Sequence, residues 1–578
     1  MKNLLLLFAA AFSVGALSGC EEPEQKRPNI LLVLTDDQGW GDLAFHGNDS
    51  IDTPHLDWLA QHATEFTRFY VSPVCAPTRA SILTGRYHLA TGTSWVTHRM
   101  EVMREEEVTI AEVMKAAGYR TGLFGKWHNG KQYPHDPLGQ GFQEFFGFKE
   151  GHFNNYFDAV LTHNFEEVKT QGYMANVLAD KAMEFMASDG PFLCMLTLNT
   201  PHGPFQVPDE YFDKYAAMGL SNKDAAVYGM VENIDDIMGR LLDHLNAIQK
   251  EEETIVIFMT DNGPNGVRYN GSFKGIKAHV DEGGVRVPFL IRYPRLGWDK
   301  GAKIEKMAGH IDILPTLAEL TGVVLPDSLN IHGKSLLPMT DSAPGLPDRK
   351  FYTHQVIREM DTIPSAVRTD QYLLTMKPNE TALYDLLADP YQKQNIIDSL
   401  PELAANMQAD YRNWFSEVTK KGTTPEPIQV GHSGVPEVEL PAPDVFAKEA
   451  IAFKGGIGWA NDWFTGVNNE SKASWDLLAV NTATYAVYVE MACETAAPFN
   501  VRISLGSEVV QKEVSASLSA PQLESPDRED RGEVYERKWP LVFAGNLKVS
   551  PGSGELSVSV NGFSGSSLEI KSIRLRML

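Results

Sequence analysis

The sequence predicts an α/β fold with a large mixed sheet flanked by helices, joined to a small antiparallel α+β subdomain and a C-terminal β-sandwich. Between residues 28 and 338, apolar strand-like runs alternate with amphipathic helical patterns, which is typical of a sheet covered by helices on both faces. Residues 350–418 show a pattern of short strands followed by one long helix. Beyond residue 446, short alternating runs are separated by Gly, Ser, Asn and Pro, as in β-sandwiches.

The first region is predicted to contain buried strands and amphipathic helices in alternation. Strands that are apolar along their whole length are expected where both faces of a sheet are covered. The strand predictions are 29–35, 119–124, 192–199, 254–260 and 287–293. The helix predictions are 53–64, 109–117, 175–186 and 225–249.

Shifts in composition predict the domain boundaries. The large α/β domain is expected over residues 28–345, and the α+β subdomain over 346–422 with a helix from about residue 401. Residues 423–445 are rich in Pro, Gly and acidic residues and lack helical periodicity, so we predict a linker there. The β-sandwich is expected over 446–578, with strands at 485–491, 500–505, 541–549, 555–560 and 568–576.

The N-terminus predicts an exported protein. Residues 1–19 combine Lys2 with an apolar run, as a signal peptide does, and Leu17-Ser-Gly-Cys20 resembles the lipobox of bacterial lipoproteins. Cys20 would be lipid-modified and residues 20–27 would form a tether. No later apolar run approaches the roughly 20 residues that span a bilayer. We expect a periplasmic or cell-surface protein held to a bacterial membrane by its lipid only. A cleaved signal without lipid is the alternative.

Charge and cysteine content exclude several classes of function. The formal net charge of −24 argues against nucleic acid or an anionic membrane surface as a partner, although a few converging cations can still bind an anionic substrate. The 4 cysteines are too few for a disulfide framework. Cys194 and Cys493 lie in strand-like runs and are expected to be inert core thiols. Cys75 differs because its neighbours are polar, turn-forming and basic.

Two matched pairs of polar residues follow predicted strands. Asp36 and Asp37 come directly after strand 29–35, and Asp261 and Asn262 come directly after strand 254–260. In open α/β sheets ligands bind beyond the carboxyl ends of the strands, so both pairs are expected at one rim. Three carboxylates and an amide oxygen suit Ca²⁺ or Mg²⁺. A role as turn or N-cap residues is the alternative.

Cys75 is predicted to begin a helix. Pro77 fits the first turn, where a missing N–H costs nothing, and Gly85 fits the end. The N-terminus of a helix favours an anion through its oriented amides. Arg79 adds a permanent positive charge one turn later. Because both features would lower the pKa of the thiol, an activated Cys75 thiolate is one possible nucleophile.

The motifs around Cys75 resemble a known enzyme family. Cys75-Ala-Pro-Thr-Arg79 followed by Leu83-Thr-Gly-Arg86 resembles the signature of type I sulfatases of the alkaline phosphatase superfamily, whose cysteine is oxidised to formylglycine. The resemblance covers roughly residues 28–395 and implies an alkaline-phosphatase-like fold. Its other pieces are Asp36-Asp37, Gly125-Lys-Trp-His128, Thr200-Pro-His202, Thr260-Asp-Asn-Gly263, Lys277 with Glu282-Gly-Gly284, and Leu383-Tyr-Asp385.

The resemblance implies a formylglycine mechanism with Ca²⁺ as cofactor and Mg²⁺ as the less favoured metal. Residue 75 would be an aldehyde hydrate, one hydroxyl of which attacks sulfur once the metal has lowered its pKa. Loss of a proton from the second hydroxyl then releases sulfate by elimination, so water need not attack sulfur. The implied metal ligands are Asp36, Asp37, Asp261, Asn262 and residue 75 itself.

The same resemblance implies roles for the cationic side chains. Arg79 and Lys126 would hold the hydrate and its oxyanion. Lys277 and His202 would bind the sulfate and protonate the leaving oxygen. His128 would take the proton from the second hydroxyl. Three residues nearby stay unassigned: Lys274 as an alternative to Lys277, Asn129 where the family has an aliphatic residue, and His279.

Substrate-binding predictions depend on aromatic segments. The loop 145–157 is expected at the rim, and four of its side chains could hydrogen-bond a sugar: His152, Asn154, Asn155 and Tyr156. An aromatic loop core is the alternative, because buried aromatic residues also use their polar tips. In the C-terminal region, Trp459, Trp463 and Trp475 suggest carbohydrate binding, but core packing is the favoured interpretation.

We therefore expect a sulfuric ester hydrolase that removes sulfate from a sulfated carbohydrate, such as an extracellular polysaccharide. Its partners would be the sulfated glycan and a formylglycine-generating maturation enzyme that acts on the unfolded motif. One alternative is a phosphonate or phosphodiester hydrolase of the same superfamily, which can carry the same Cys-x-Pro-x-Arg signature. The other is a non-catalytic surface lipoprotein that binds sulfated glycan.

Overall fold

A computed structural model describes residues 27–340, 348–356 and 360–578. The predicted signal peptide, Cys20 and nearly all of the predicted tether lie outside the described residues. Over the described ranges, no helix combines the length and the apolar character that crossing a membrane requires.

The first region is an α/β structure, as predicted. Its strands are β1 (Asn29–Thr35), β2 (Thr64–Phe66), β3 (Phe69–Tyr70), β4 (Arg120–Lys126), β5 (Glu144–Phe148), β6 (Val160–His163), β7 (Glu166–Lys169), β8 (Phe192–Thr197), β9 (Thr254–Thr260), β10 (Arg286–Val287), β11 (Phe289–Arg292), β12 (Lys303–Ile304) and β13 (Ala308–Gly309). Its α-helices are α1 (Pro54–Gln61), α2 (Cys75–Thr84), α3 (Ile110–Ala116), α4 (Met174–Ala187), α5 (Asp209–Ala217), α6 (Asn222–Ala247), α7 (Glu282–Val285), α8 (Ile313–Leu320) and α9 (Leu337–Thr340).

The main sheet has 10 strands in the order β12-β2-β11-β9-β1-β8-β4-β5-β6-β7. Its centre is parallel, with β1 between β8 and β9, while β11 is antiparallel to β9. Strand β1 shows why both faces need cover: Leu31 and Val33 pack into one apolar cluster, whereas Ile30 and Leu32 pack into another. Helices α4 and α6 cover the first face, and α2, α3 and α8 cover the second. The alternation follows from the two-residue period of a strand.

A 4-stranded antiparallel sheet and one long helix form the next unit. The sheet has the order β14-β15-β16-β17, from β14 (Phe351–His354), β15 (Ser365–Arg368), β16 (Tyr372–Lys377) and β17 (Glu380–Asp385). Helix α10 (Pro401–Val418) begins at the predicted residue, with its proline in the first turn. Its buried residues repeat at intervals of three or four and form one apolar stripe: Ala404, Met407, Tyr411, Trp414 and Val418.

Two facing sheets form the C-terminal unit. Their strands are β18 (Ile428–Val430), β19 (Glu437–Pro441), β20 (Ala447–Glu449), β21 (Ala452–Phe453), β22 (Phe464–Thr465), β23 (Lys472–Ala479), β24 (Ala483–Glu494), β25 (Phe499–Leu505), β26 (Glu508–Val514), β27 (Leu541–Val549), β28 (Gly552–Asn561) and β29 (Ser567–Met577). The orders are β18-β23-β28-β25-β26 and β21-β22-β29-β24-β27. Trp475 packs in the core between them, and Trp463 is also buried, so both take the core role that was favoured.

The structure differs from the prediction in residues 423–445. Strand β18 pairs in parallel with β23, and β19 pairs with β29, so this segment belongs largely to the sheets rather than to a linker. Val438 and Leu440 are buried while their neighbours are half-exposed, which is the two-residue period of an edge strand. The prediction that this segment is not helical was therefore correct, but the alternation of buried and half-exposed residues over five positions was missed.

Helix boundaries differ from the predictions by a few residues for local reasons. The predicted helix 53–64 ends at Gln61, because Thr64 begins the strand β2. The predicted helix 225–249 begins at Asn222, where the Ser221 side chain accepts a hydrogen bond from the backbone N–H of Asp224. Such a side-chain cap satisfies one of the amides that a helix start leaves unpaired.

Two acids, the buried Asp444 and the partly buried Glu101, lie where the C-terminal unit meets the first region. Burial, followed by the neighbouring Asp444 charge, raises the pKa of Glu101 to about 8. A carboxyl with a raised pKa stabilises the folded state fully below its ordinary pKa, and this stability is lost as the pH rises toward 8. The junction between the two units should therefore weaken in mildly alkaline solution.

We predict that Glu101→Gln flattens the decline of the melting temperature between pH 5 and pH 8.5. The amide cannot ionise, so the variant avoids the buried charge that the wild type develops. Thermal unfolding monitored by circular dichroism at several pH values tests this. Glu106→Gln is the matched control, because Glu106 is exposed and its pKa is lowered by hydrogen bonding to Lys421. Equal slopes for Glu101→Gln and wild type would contradict the assignment.

Candidate active site

The two predicted polar pairs lie side by side at the rim of the main sheet. Strands β1 and β9 are parallel neighbours, with Thr35 opposite Thr260, so the residues that follow them emerge together. The backbone N–H of Asp37 donates to Asp261 Oδ1 at 3.3 Å, and Asn262 Nδ2 donates to Asp37 Oδ1 at 2.8 Å. Asp36, Asp37, Asp261 and Asn262 are all buried.

Helix α2 brings Cys75 to the same rim. Cys75 is its first residue, Val74 is the extended N-cap, and every residue of the helix is buried. The Thr78 hydroxyl fixes the approach by bonding both the N–H and the C=O of Ser72. The Cys75 Sγ atom and one carboxylate oxygen each from Asp36 and Asp261 lie within 4.8 Å of one another. The predicted nucleophile and the predicted metal ligands are therefore in one place.

Arg79 and Lys126 neutralise the buried carboxylates. Arg79 donates to Asp261 Oδ2 from Nε at 3.1 Å and from Nη2 at 2.8 Å, and its Nη2 lies 3.3 Å from Asp36 Oδ2. Lys126 Nζ donates to the same Asp36 oxygen at 2.5 Å. Burial alone would raise the pKa of Asp36, but its pKa is lowered because the charges of Lys126, His202 and Arg79 stabilise the carboxylate.

Lys277 and His202 approach the acids from the open side. Lys277 Nζ lies 2.6 Å from Asp37 Oδ1, and His202 Nε2 lies 3.7 Å from Asp37 Oδ2. Lys274, the alternative to Lys277, instead donates to the Tyr384 hydroxyl at 2.9 Å. His279 is exposed and does not line the cavity around Cys75. The geometry therefore favours Lys277 at this site.

His128 is held in its neutral form. Its Nε2 lies 2.9 Å from the Val96 carbonyl oxygen and donates to it, which leaves Nδ1 as the acceptor. Burial, followed by the charge of Lys126, lowers its pKa well below the ordinary value. The ring packs so closely on Gly151 that a Cβ there would lie 2.1 Å from Nε2. Any other residue at position 151 would displace the histidine.

Asn129 has a structural explanation. Its Nδ2 donates to the Ala76 carbonyl at 3.0 Å and to the Glu101 carbonyl at 3.3 Å. The amide thereby fixes the first turn of α2 directly after Cys75. An aliphatic residue would leave the Ala76 carbonyl without this partner.

The polar rim has the chemistry of a site for a hard divalent cation. Asp36 Oδ1, Asp37 Oδ2 and Asn262 Oδ1 are buried oxygens without a hydrogen-bond partner among the described residues. Buried polar atoms are rarely left unpaired, so orphaned oxygens in one cluster favour an ion. Oxygen ligands of this type suit Ca²⁺ or Mg²⁺. Burial, followed by the charge of Asp36, raises the pKa of Asp261 to about 7, as expected of acids crowded together.

The surroundings of Cys75 argue against a simple thiolate. Burial is the main effect and raises the pKa of the Cys75 thiol, while Lys126 and Lys277 oppose it only in part. A thiol with a raised pKa is a poor nucleophile at neutral pH. Among the protein's own groups, the helix N-terminus and the nearby basic side chains therefore do not suffice to activate the unmodified cysteine.

A cavity of about 320 Å³ opens over Cys75. Cys75, His128, His202 and Lys277 line it, and so does His152 from the predicted substrate-binding loop. The other three residues predicted to bind substrate do not line it: Asn154, Asn155 and Tyr156.

Interior hydrogen bonds explain this difference. The Tyr156 hydroxyl contacts the His202 and Gly203 carbonyls at 2.9 and 2.8 Å, and the side chain is 1% exposed. Asn154 Nδ2 donates to Glu536 at 3.1 Å, and Asn155 Nδ2 lies 3.4 Å from the Glu524 carbonyl. Tyr156 therefore takes the core role of the alternative, whereas Asn154 and Asn155 line a second cavity of about 810 Å³.

Several residues of the cavity wall were not predicted from the sequence. Trp95 and Val96 come from a loop of the first region, whereas Trp459, Ala460 and Glu533 come from the C-terminal unit. Trp459 was singled out as an aromatic residue of interest, but its place at this cavity was not foreseen. Nothing local in the sequence marks Glu533, because its position depends on how distant segments pack.

Comparison with known families agrees with this geometry. The Sulfatase family model matches residues 28–323, which include every side chain of the polar rim. The chain belongs to the sulfatase family. A second model, N-sulphoglucosamine sulphohydrolase, C-terminal, matches residues 275–420 of this sulfatase. Neither model extends beyond residue 420 into the β-sandwich.

Curated relatives of this sulfatase are themselves sulfatases. It is 32% identical over 411 residues to the ulvan-active sulfatase of Formosa agariphila, a match that covers 65% of this chain and 78% of the relative. It is also 32% identical over 375 residues to the N-acetylgalactosamine-6-sulfatase of Canis lupus familiaris, covering 58% of this chain and 69% of that one. The protein is therefore a sulfatase enzyme.

Solved structures share its fold. The crystal structure of Ps i-CgsB in complex with k-i-k-neocarrahexaose is 27% identical and matches with a TM-score of 0.64 over 67% of this chain and 93% of that chain. The PsFucS1 sulfatase from Pseudoalteromonas sp. is 22% identical, with a TM-score of 0.58 over 68% of this chain and 91% of that chain. The predicted sulfatase-like α/β fold is thereby confirmed.

We predict that Arg79→Ala lowers the free energy of unfolding of the metal-free protein by about 3–5 kcal/mol, because it leaves buried carboxylates without their counter-charge. Urea denaturation in the presence of a chelator measures this loss. Arg240→Ala is the control: Arg240 pairs with Asp180 on the surface, and such pairs contribute about 1 kcal/mol or less. Equal losses in the two variants would show that Arg79 does not hold the rim together.

Proposed function

We propose that this sulfatase hydrolyses sulfate esters of carbohydrates, with residue 75 acting as formylglycine and Ca²⁺ bound by the polar rim. The observation that carries the proposal is the position of Cys75 Sγ within 4.8 Å of oxygens from both Asp36 and Asp261. The sulfur stands where the hydroxyl oxygens of a formylglycine hydrate would be. The signature Cys75-Ala-Pro-Thr-Arg79 supports this modification.

The carbohydrate substrate is supported by the named relatives. Ulvan and N-acetylgalactosamine appear in the names of two curated sulfatases, and a neocarrahexaose is the ligand of a similar crystal structure. All three names refer to sugars. We therefore propose sulfated glycans as the substrate class.

The proposed metal ligands are Asp36, Asp37, Asp261 and Asn262 together with residue 75. The family resemblance favours Ca²⁺ over Mg²⁺ here, and Ca²⁺ accepts irregular oxygen shells whereas Mg²⁺ requires near-octahedral ones. When bound, the cation would polarise the nucleophile and stabilise negative charge at the sulfate.

Basic side chains of the chain would handle the anion and the protons. Arg79 and Lys126 would hold the deprotonated nucleophile by their positive charge. Lys277 and His202, both at the cavity, would bind the sulfate oxygens and deliver a proton to the sugar oxygen as the S–O bond breaks. The free Nδ1 of His128 would accept the proton that must leave residue 75 before sulfate is released.

We predict that the tryptic peptide containing residue 75, from protein made in its native host, weighs about 18 Da less than the cysteine form. The same preparation should release sulfate from sulfated oligosaccharides, with activity lost in chelator and restored by Ca²⁺. Mass spectrometry and ion chromatography of sulfate provide the two readouts. An active enzyme with an unmodified thiol would overturn the formylglycine mechanism.

Two comparisons separate the alternatives. Aryl sulfate and aryl phosphodiester should be tested side by side, since a preference for the diester would identify a phosphodiester hydrolase instead. Cys75→Ala should abolish sulfate release while glycan binding persists. Glycan binding without any turnover by the converted wild type would favour the non-catalytic alternative.

We also propose that the enzyme is exported and lipid-anchored through Cys20. The lipobox-like Leu17-Ser-Gly-Cys20 supports this placement. We predict that labelled palmitate is incorporated into the wild type and not into Cys20→Ala, which should leave the membrane fraction. Incorporation in both would place the lipid elsewhere.

A further inference from the structure

Two segments of the C-terminal unit reach the cavity over Cys75. We call them the tryptophan loop, residues 455–462, and the acidic segment, residues 524–537. The tryptophan loop contributes Trp459 and Ala460 to the cavity wall, and the acidic segment contributes Glu533. Both lie beyond the residues that the two family models match. The wall they form therefore lies outside the part of the chain that the two family models match.

The tryptophan loop is fixed to the first region by three hydrogen bonds. Thr97 Oγ1 donates to the Gly458 carbonyl at 3.0 Å, and His98 Nε2 lies 3.0 Å from the Ile457 carbonyl. Asn461 Nδ2 donates to the His152 carbonyl at 2.7 Å. Gly458 has a φ of 81°, and a Cβ there would collide with Phe453, so the turn requires glycine. Trp459 is thus presented by a firmly held loop.

The acidic segment is also fixed to the first region by hydrogen bonds. Gln206 Nε2 donates to Asp527 Oδ1 at 2.7 Å and to Ser525 Oγ at 2.8 Å. Arg531 Nη1 donates to the Asn154 carbonyl at 3.0 Å, and Asn154 Nδ2 donates to Glu536 at 3.1 Å. These contacts use residues of the first region beside the cavity. They hold Glu533 at the wall without direct use of its carboxylate.

Glu533 introduces a negative charge into a site built for an anion. Its neighbours at the cavity include His152 and His202, whose rings lie 5.9 Å apart. Burial would raise the pKa of Glu533, yet its pKa is lowered by the interactions with His152 and then His202, by a backbone hydrogen bond and by Arg531. Arg531 itself is paired with Asp527 at 2.6 Å. A carboxylate therefore lies near the side chains proposed to bind sulfate. Binding of the sulfate group alone would not require a carboxylate there.

We propose that Trp459 and Glu533 recognise the sugar ring that carries the sulfate, and that Glu533 disfavours a second anionic group on that ring. This inference rests on the proposed function. Aromatic side chains bind the C–H faces of sugars through their apolar surface, and an ionised carboxylate is a strong acceptor for hydroxyl groups. A second sulfate or a uronate carboxylate would meet like charge. The favoured substrate has a single sulfate on an otherwise neutral, hydroxylated ring.

The test compares Trp459→Ala and Glu533→Gln with wild type on three substrates: a neutral monosulfated oligosaccharide, its disulfated counterpart and an aryl sulfate. For Trp459→Ala we expect kcat/KM on the monosulfated sugar to fall roughly tenfold, mainly through KM, and to fall much less on the aryl sulfate. For Glu533→Gln we expect the ratio of kcat/KM on disulfated to monosulfated sugar to rise roughly fivefold. Trp459→Phe should restore most of the sugar activity.

Phe446→Ala and Glu470→Gln are matched controls, because both residues are exposed on the same C-terminal unit away from the cavity. They should match wild type on all three substrates. If the wild type hydrolyses sulfated sugars but both variants keep its substrate ratios, this inference is wrong and the proposed function stands. If the wild type hydrolyses only the aryl sulfate, both proposals fail together.

Discussion

The active site depends on the need to neutralise carboxylates that are buried side by side. Asp36 and Asp261 end adjacent parallel strands, so the sheet itself forces their charges together. Arg79 on helix α2 and Lys126 at the end of β4 supply the positive charges. Because the counter-charges come from different elements, satisfying them fixes those elements against each other. Cys75 takes its position as a consequence, since it shares a short helix with Arg79.

The same charges explain why the site suits an anionic substrate in an acidic protein. The formal net charge is −24, yet the cationic side chains converge at one rim. Lys277 pairs with Asp37 and also lines the cavity, so it serves both the acidic cluster and the incoming sulfate. Local arrangement rather than total charge decides what binds.

Prediction from sequence worked best where a signal is local. Strands β1 and β9 have the predicted bounds because an uninterrupted apolar run ends at a polar pair. The proposed roles of residue 75 and its neighbours came from the family resemblance, and the structure adds that they meet. Strand β19 was missed because five alternating residues beside prolines resemble a loop. Glu533 left no signal because its neighbours His152 and His202 are more than 300 residues away in the chain.

The burial of helix α2 bears on when residue 75 can be modified. The residues before the helix bond to segments made much later: Val71 to Val285, Ser72 to His310 and Pro73 to Ala278. A ribosome adding about 5–20 residues per second needs roughly 10–40 s to travel from residue 75 to residue 285. Until then the segments that enclose Cys75 in the folded protein have not been synthesised. If residue 75 is converted to formylglycine as proposed, the topology of the sheet leaves an interval during synthesis in which the motif is still accessible to a modifying enzyme.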